Sequence, residues 1–139
     1  MMRRTTVLLA DDFAPWRSMV CSQLKTNSDF KVIAEARNGC EAIEKAGQLH
    51  PDVVLLDVGM PLLNGLEAAP RIRQVSPGSK IVFLTQLHDD DIRTAAFAMG
   101  ADGYVLKSNM AGKLISAIQA ALDGRQAMHT TLSPSLVFG

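Results

Sequence analysis

Aromatic residues are scarce in this chain. They make up 5% of its 139 residues, with one Trp and one Tyr. A hydrophobic content of 47% therefore suits a compact aliphatic α/β core better than an aromatic-lined binding face. Cysteine is scarcer still. Cys21 and Cys40 are too few and too far apart for a metal site or a disulfide framework, and they read as buried thiols of a reducing compartment. Net charge is missing too: 14 basic residues balance 14 acidic ones, which excludes a global basic field for nucleic acid. No apolar run approaches the ~18 residues of a membrane span. The basic start, Met1-Met2-Arg3-Arg4, leads into an apolar stretch too short for a secretory leader. The length fits a single domain.

What the chain does have is alternation. Short apolar runs at residues 5–10, 30–34, 52–56, 80–84 and 103–106 read as strands. Between them lie segments with helical spacing. Trp16, Val20 and Leu24 make one stripe, with Pro15 in the first turn. Asn38-Gly39 opens a second helix with Ala42, Ile43, Ala46 and Leu49 facing in. Asn64 and Glu67 have the spacing of a capping box for a third, which Pro70 should bend or shorten near residue 73. Asp89, Asp90 and Asp91 crowd the start of a fourth, where the helix dipole favours negative charge, with Ile92, Ala95, Ala96 and Met99 inward and Gly100 closing it. Ser108-Asn109 offers a cap for a fifth, with Leu114, Ile115, Ile118 and Leu122 as its stripe and Gly124 as its end. Strands alternating with helices imply a parallel, doubly wound sheet with helices on both faces. Residues 125–139 lack a period and read as a tail or linker after a domain at residues 5–124.

The chemistry follows from what ends each strand. The first ends in Asp11-Asp12, the third in Asp57, the fourth in Thr85 and the fifth in Lys107. In a parallel sheet these ends share one edge, the edge where ligands bind. One Asp after one strand is ordinarily a turn residue or a helix cap. Three carboxylates, a hydroxyl and an ammonium arriving together are hard to assign to chance. Adjacent carboxylates repel unless a cation sits among them. Hard oxygen donors without His or Cys favour Mg2+, with Mn2+ as a substitute. A lysine and a hydroxyl opposite suit the oxygens of a phosphoryl group in transfer, and Asp57 is the exposed nucleophile.

These motifs carry a resemblance. Asp11-Asp12, the run Asp57-x-x-Met60-Pro61-x-x-x-Gly65, Thr85, and Gly103-Tyr104-Val105-Leu106-Lys107 resemble a response-regulator receiver (CheY-like) domain of two-component signalling. The match covers about residues 5–124. It is most similar to receivers of regulators with a LuxR/NarL-type helix-turn-helix output domain. The resemblance implies a flavodoxin-like fold with strand order 2-1-3-4-5. It implies that a sensor histidine kinase or histidine phosphotransfer protein donates a phosphoryl group to Asp57. Asp12, Asp57 and the Gly59 backbone carbonyl would bind Mg2+, with Asp11 acting mainly through water. Lys107 would pair with the phosphoryl group, Thr85 would move toward it, and Tyr104 would swing in behind Thr85. A half-buried strand aromatic is the plainer reading of Tyr104. By the same resemblance the domain is cytoplasmic, catalyses only its own phosphorylation and dephosphorylation, and leaves homodimerisation on phosphorylation open. It would touch DNA only through an output domain that these 139 residues do not contain.

The departures matter. Ser108 stands where the family often has a proline, so a cis bond is not expected there. Gln86 replaces a small residue beside the phosphate site. Gly59 and Leu87 occupy positions that tune dephosphorylation; one leaves room for water and the other excludes it. His50, His88 and His129 share no ligand spacing and read as surface or loop residues. Arg71 and Arg73 read as a solvated helix face. Trp16 reads either as packing against the core or as part of a partner-docking surface. Two other functions compete. A haloacid-dehalogenase-type phosphatase would want an acid two residues after Asp57, where this chain has Gly59. A flavodoxin-like binding protein would want a phosphate-cradling loop where Asp11-Asp12 would repel a phosphate. A stand-alone receiver acting through protein contacts is the alternative to a regulator of transcription.

Overall fold

Val53–Leu56 is β3, the middle of a parallel sheet, and all four of its residues are fully buried. A computed structural model describes residues 4–86 and 89–124, together with the backbone of 127–129. In chain order the elements are β1 (Thr5–Ala10), α1 (Ala14–Lys25), β2 (Phe30–Ala36), α2 (Gly39–Leu49), β3, α3 (Gly65–Val75), β4 (Lys80–Thr85), α4 (Asp90–Ala98), β5 (Gly103–Leu106), a 3-10 turn (Lys107–Asn109), α5 (Met110–Leu122) and β6 (Ala127–His129). The sheet order is β2-β1-β3-β4-β5-β6. The expected order 2-1-3-4-5 is therefore present, with one strand added.

The uninterrupted apolar runs of the central strands follow from covering on both faces. Odd and even residues go opposite ways. Leu8, Val54, Leu56, Ile81, Phe83 and Tyr104 pack with the alanines of α2, α3 and α4. Val7, Leu9, Val53, Leu55, Val82 and Val105 pack with Val20 and Leu24 of α1 and Leu114 and Ile118 of α5. Helices thus lie on both faces.

Several details differ from expectation. α3 runs through Pro70 to Val75. Pro70 is on the exposed side, where water can serve the Leu66 carbonyl that proline cannot bond. Leu49, the last residue of α2, and Met99, the C-cap of α4, are exposed rather than inward, as helix-end positions with no further turn beside them to cover them. Asn109 makes no side-chain cap; the chain instead enters α5 through the 3-10 turn that contains Ser108. Cys40 is exposed in the first turn of α2 and Cys21 is half-buried, so neither is a core thiol. Arg71 is exposed, and Arg73, a third exposed, is also tied down. Its guanidinium donates to the carbonyls of Ser79 and Gly100 and to Asp102.

The segment read as a tail supplies β6, parallel to β5 with Tyr104 opposite Met128. Without it the backbone groups of β5 would form an open sheet edge. His129 lies in this strand, and His88 falls outside the described residues.

Candidate functional site

The strand register brings the site together. Ala10 is level with Leu56, so Asp11 and Asp57 are the next residues of neighbouring strands. The ladder continues one step beyond both. Asp57 N–H donates to the Ala10 carbonyl at 2.9 Å, and Asp11 N–H to the Ala36 carbonyl at 3.0 Å. On the other side Thr85 is level with Leu106, which delivers Lys107 just above it. The loop after β3 is held from below. Gly65 N–H donates to the Val58 carbonyl at 2.9 Å, and a Cβ at Gly65 would collide with the Asp57 carbonyl oxygen. Only glycine lets α3 start this close to the Asp57 backbone. The expected capping box is formed: Asn64 Oδ1 accepts from Glu67 N–H at 2.9 Å, and Asn64 N–H donates to Glu67 Oε1 at 3.1 Å.

Asp11, Asp12, Asp57, Gly59, Thr85, Gln86 and Lys107 line one cavity of about 360 Å³, joined by Phe13 and Trp16. Asp11 is 2% exposed and Asp57 7%, while Asp12 faces solvent. One carboxylate oxygen from each of the three lies within 4.8 Å of the others, close enough for a single cation. Lys107, nearly buried, places Nζ 2.6 Å from Asp11 Oδ2 and 3.7 Å from Asp57 Oδ2. Asp11 Oδ1 accepts from Phe13 N–H at 2.9 Å. Two buried carboxylates therefore share one ammonium, with the exposed Asp12 beside them. Burial pushes the Asp57 carboxyl up from 3.8 to about 6; Lys107 opposes this, Asp11 and Asp12 add to it, and a Gly59 backbone hydrogen bond restrains it. Such a rise marks an acid that is uncomfortable as an anion until a cation or a bonded phosphorus relieves it. The donor set, all oxygen and strongly negative, fits Mg2+.

Comparison with known proteins agrees with this geometry. The response regulator receiver domain family matches residues 7–119. The chain belongs to that family. The receiver is 39% identical over 132 residues to the nitrate/nitrite response regulator protein NarL of Escherichia coli (strain K12), covering 94% of this chain and 61% of NarL. It is 34% identical over 115 residues to the chemotaxis protein CheY of Listeria monocytogenes, covering 83% of this chain and 96% of CheY. A crystal structure of a LuxR-family two-component response regulator from Aurantimonas sp. SI85-9A1 superposes with a TM-score of 0.86 at 31% identity, covering 97% of this chain and 94% of that one. The receiver thus spans 61% of the NarL length and nearly all of the CheY length.

Within the receiver, Thr85 is buried at the end of β4 beside the cavity. Tyr104 is 1% exposed, not half-buried; it sits inside the sheet face covered by α2, α3 and α4, with Phe97 tilted against it at 6.5 Å. Burial raises its phenol, and Arg93 opposes that rise. Gln86 and Gly59 both face the cavity. Leu87 falls outside the described residues.

Two participants escaped the sequence reading. Phe13 lines the cavity, although the Asp11-Asp12 pair had drawn attention away from its neighbour. Arg93 is buried on α4 and paired with Asp90 at 2.9 Å. Its signal was the i, i+3 spacing to an acid in the first turn.

Proposed function

We propose that this receiver is the phosphoacceptor of a two-component response regulator, taking a phosphoryl group on Asp57 from a phosphohistidine of a sensor kinase or phosphotransfer protein. The observation that carries this reading is the pairing of a nearly buried Asp57 with Asp11, Asp12 and Lys107 around one cavity. Asp12, Asp57 and the Gly59 carbonyl would hold Mg2+, with Asp11 behind them; when bound, the ion neutralises the acids and draws charge from the phosphoryl oxygens. An Asp57 oxygen attacks phosphorus, an O–P bond forms, and the N–P bond to the donor imidazole breaks. The imidazole keeps the electron pair and takes a proton. Lys107 pairs with the phosphoryl oxygens, and the Thr85 hydroxyl donates to them.

The new dianion offers Thr85 and Lys107 strong acceptor oxygens, which biases the β4 and β5 ends between two arrangements. Tyr104, directly behind on β5, carries that bias outward. The chain acts on no external substrate, so it is a switch and not a turnover enzyme. The likeness to LuxR-family regulators, one of them described as DNA-binding, supports an output on DNA through a domain outside these residues; homodimerisation on phosphorylation belongs to the same reading. The near-complete span of CheY supports the second reading, a receiver that acts alone through protein contacts. The setting is the cytoplasm, where its donors keep their phosphohistidines; no helix of the described residues is long and apolar enough to cross a membrane.

Incubation with acetyl phosphate and Mg2+ tests the reading. The expected result is one added phosphoryl mass, about 80 Da, located at Asp57 by peptide mapping. A label on another residue, or steady turnover of an ordinary phosphate monoester, would overturn it.

A further inference from the structure

The ammonium of Lys107 has a third neighbour that the proposed chemistry does not use. Its Nζ lies 4.9 Å from the centroid of the Trp16 ring, over the indole face. Trp16 is half-buried and lines the same cavity as the acids. It is held there by the acid loop itself. Phe13 N–H binds Asp11 Oδ1, Trp16 N–H donates to the Phe13 carbonyl at 3.0 Å, and the Arg17 guanidinium donates to the Asp11 carbonyl at 2.7 Å. The backbone that carries the ring is therefore tied to the Asp11 loop, and through the ring the first turn of α1 joins the β1 end of the site to the β5 end.

We propose that Trp16 is a positioning residue for Lys107. The indole face attracts the ammonium as an uncharged third neighbour beside the two carboxylates. It holds the charge against Asp11 and short of the Asp57 oxygen that the cation and phosphorus need. Lacking that face, the ammonium, already 2.6 Å from Asp11, would be free to close the remaining distance to Asp57, where it competes with the metal and must be pulled off before it can meet a phosphoryl oxygen. A ring face suits this task because it draws a cation without accepting its hydrogen bonds as strongly as a carboxylate does. This inference rests on the phosphoacceptor reading and adds a residue to it.

The test is a double-mutant cycle on phosphorylation by acetyl phosphate and Mg2+. Trp16→Leu should slow labelling of Asp57 by about 3- to 10-fold, the size expected for a cation–π contact to a half-buried ring, between the exposed and the desolvated limits. Trp16→Phe keeps a ring and should stay within about twofold on the same grounds. In a Lys107→Met background, Trp16→Leu should have no further effect. A second readout needs neither metal nor phosphate. Trp16 is the only tryptophan in the chain, so the emission comes from this ring alone and responds to what surrounds it. Lys107→Met should change the intensity or wavelength of that emission in metal-free protein.

The idea is overturned if Trp16→Leu and Trp16→Phe slow labelling equally, if Trp16→Leu still slows the Lys107→Met protein, or if the two emission spectra superpose. These outcomes differ from failure of the phosphoacceptor reading, which would appear as no Asp57 label on the unaltered protein.

Discussion

The sheet has two rims, and each carries aspartates, but the two sets live under opposite conditions. At the rim where strands begin, Asp52 accepts from Thr6 N–H at 2.8 Å and from the Thr6 hydroxyl at 3.0 Å. Asp102 accepts from Ile81 N–H at 2.8 Å and from Arg73 at 2.9 Å. Each carboxylate there has donors of its own, and each ties the start of one strand to its neighbour. At the rim where strands end, Asp11 and Asp57 share Lys107, and Asp12 stands beside them as a third acid. The residue type is the same; the ratio of donors to acids is not. Carboxylates that are locally satisfied hold a fold together, whereas carboxylates left short of positive charge are placed to take something up.

This contrast can be broken by exchange of effects. The largest expected difference is in labelling. Asp57→Asn should lose all phosphoryl incorporation, measured by intact mass, while Asp102→Ala, assayed well below its melting temperature, should label like the unaltered chain. Equal labelling of the two variants would erase the distinction between the rims. Next in size is cation affinity. Asp12→Ala removes a proposed direct ligand, so it should weaken Mg2+ binding by at least the ~10- to 100-fold typical of losing an outer partner of a metal site. Titration calorimetry on both proteins checks this, and unchanged affinity would move the metal elsewhere. Third is stability at the starting rim. Asp102→Ala strands the Ile81 N–H and removes the ion-pair partner of Arg73, whose guanidinium keeps the Ser79 and Gly100 carbonyls. It should cost about 1–3 kcal/mol, read from the urea midpoint.

The two rims also differ in how far sequence alone reveals them. Strand-end residues could be listed because the apolar runs mark where each strand stops, and parallel pairing sends all those ends to one side. The site was legible for that reason, and so was the sheet order once the motifs were matched. Distances between the acids were not legible, because they depend on register, and register is set by the whole sheet. The leaning of Lys107 toward Asp11 and under Trp16 is tertiary for the same reason. At the other rim, Asp52 and Asp102 precede their strands like ordinary turn residues, and nothing local marks Arg73 as the partner of a residue 29 positions away. β6 was invisible because three residues carry no period. Leu49 and Met99 keep the helical spacing of core residues at helix ends with no further turn beside them to cover them, so periodicity overstated their burial.

The smallest expected effect has the opposite sign from the stability loss at Asp102, and it tests the contrast most finely. Asp57 holds its proton more tightly in the folded chain than in the unfolded one, since burial lifts the carboxyl from 3.8 to about 6. Its favourable contribution is then complete below about pH 4 and is lost as the pH rises through about 6. Above that, the ionised carboxylate costs the fold up to about 3 kcal/mol, at about 1.36 kcal/mol for each tenfold change in proton affinity. Asp57→Asn removes the charge but leaves an amide facing the Gly59 N–H and Lys107, so part of the gain is given back. The variant should be more stable than the unaltered chain by about 1–2 kcal/mol at pH 7.5 without metal, and the difference should shrink toward zero at pH 4. Saturating Mg2+ should shrink it at pH 7.5 as well, because only the unaltered site gains fully from binding the ion. Thermal melts at the two pH values, with and without Mg2+, decide it. A loss of stability in Asp57→Asn at pH 7.5 would mean that Asp57 is satisfied in place like Asp52, and the difference between the rims would be one of position alone.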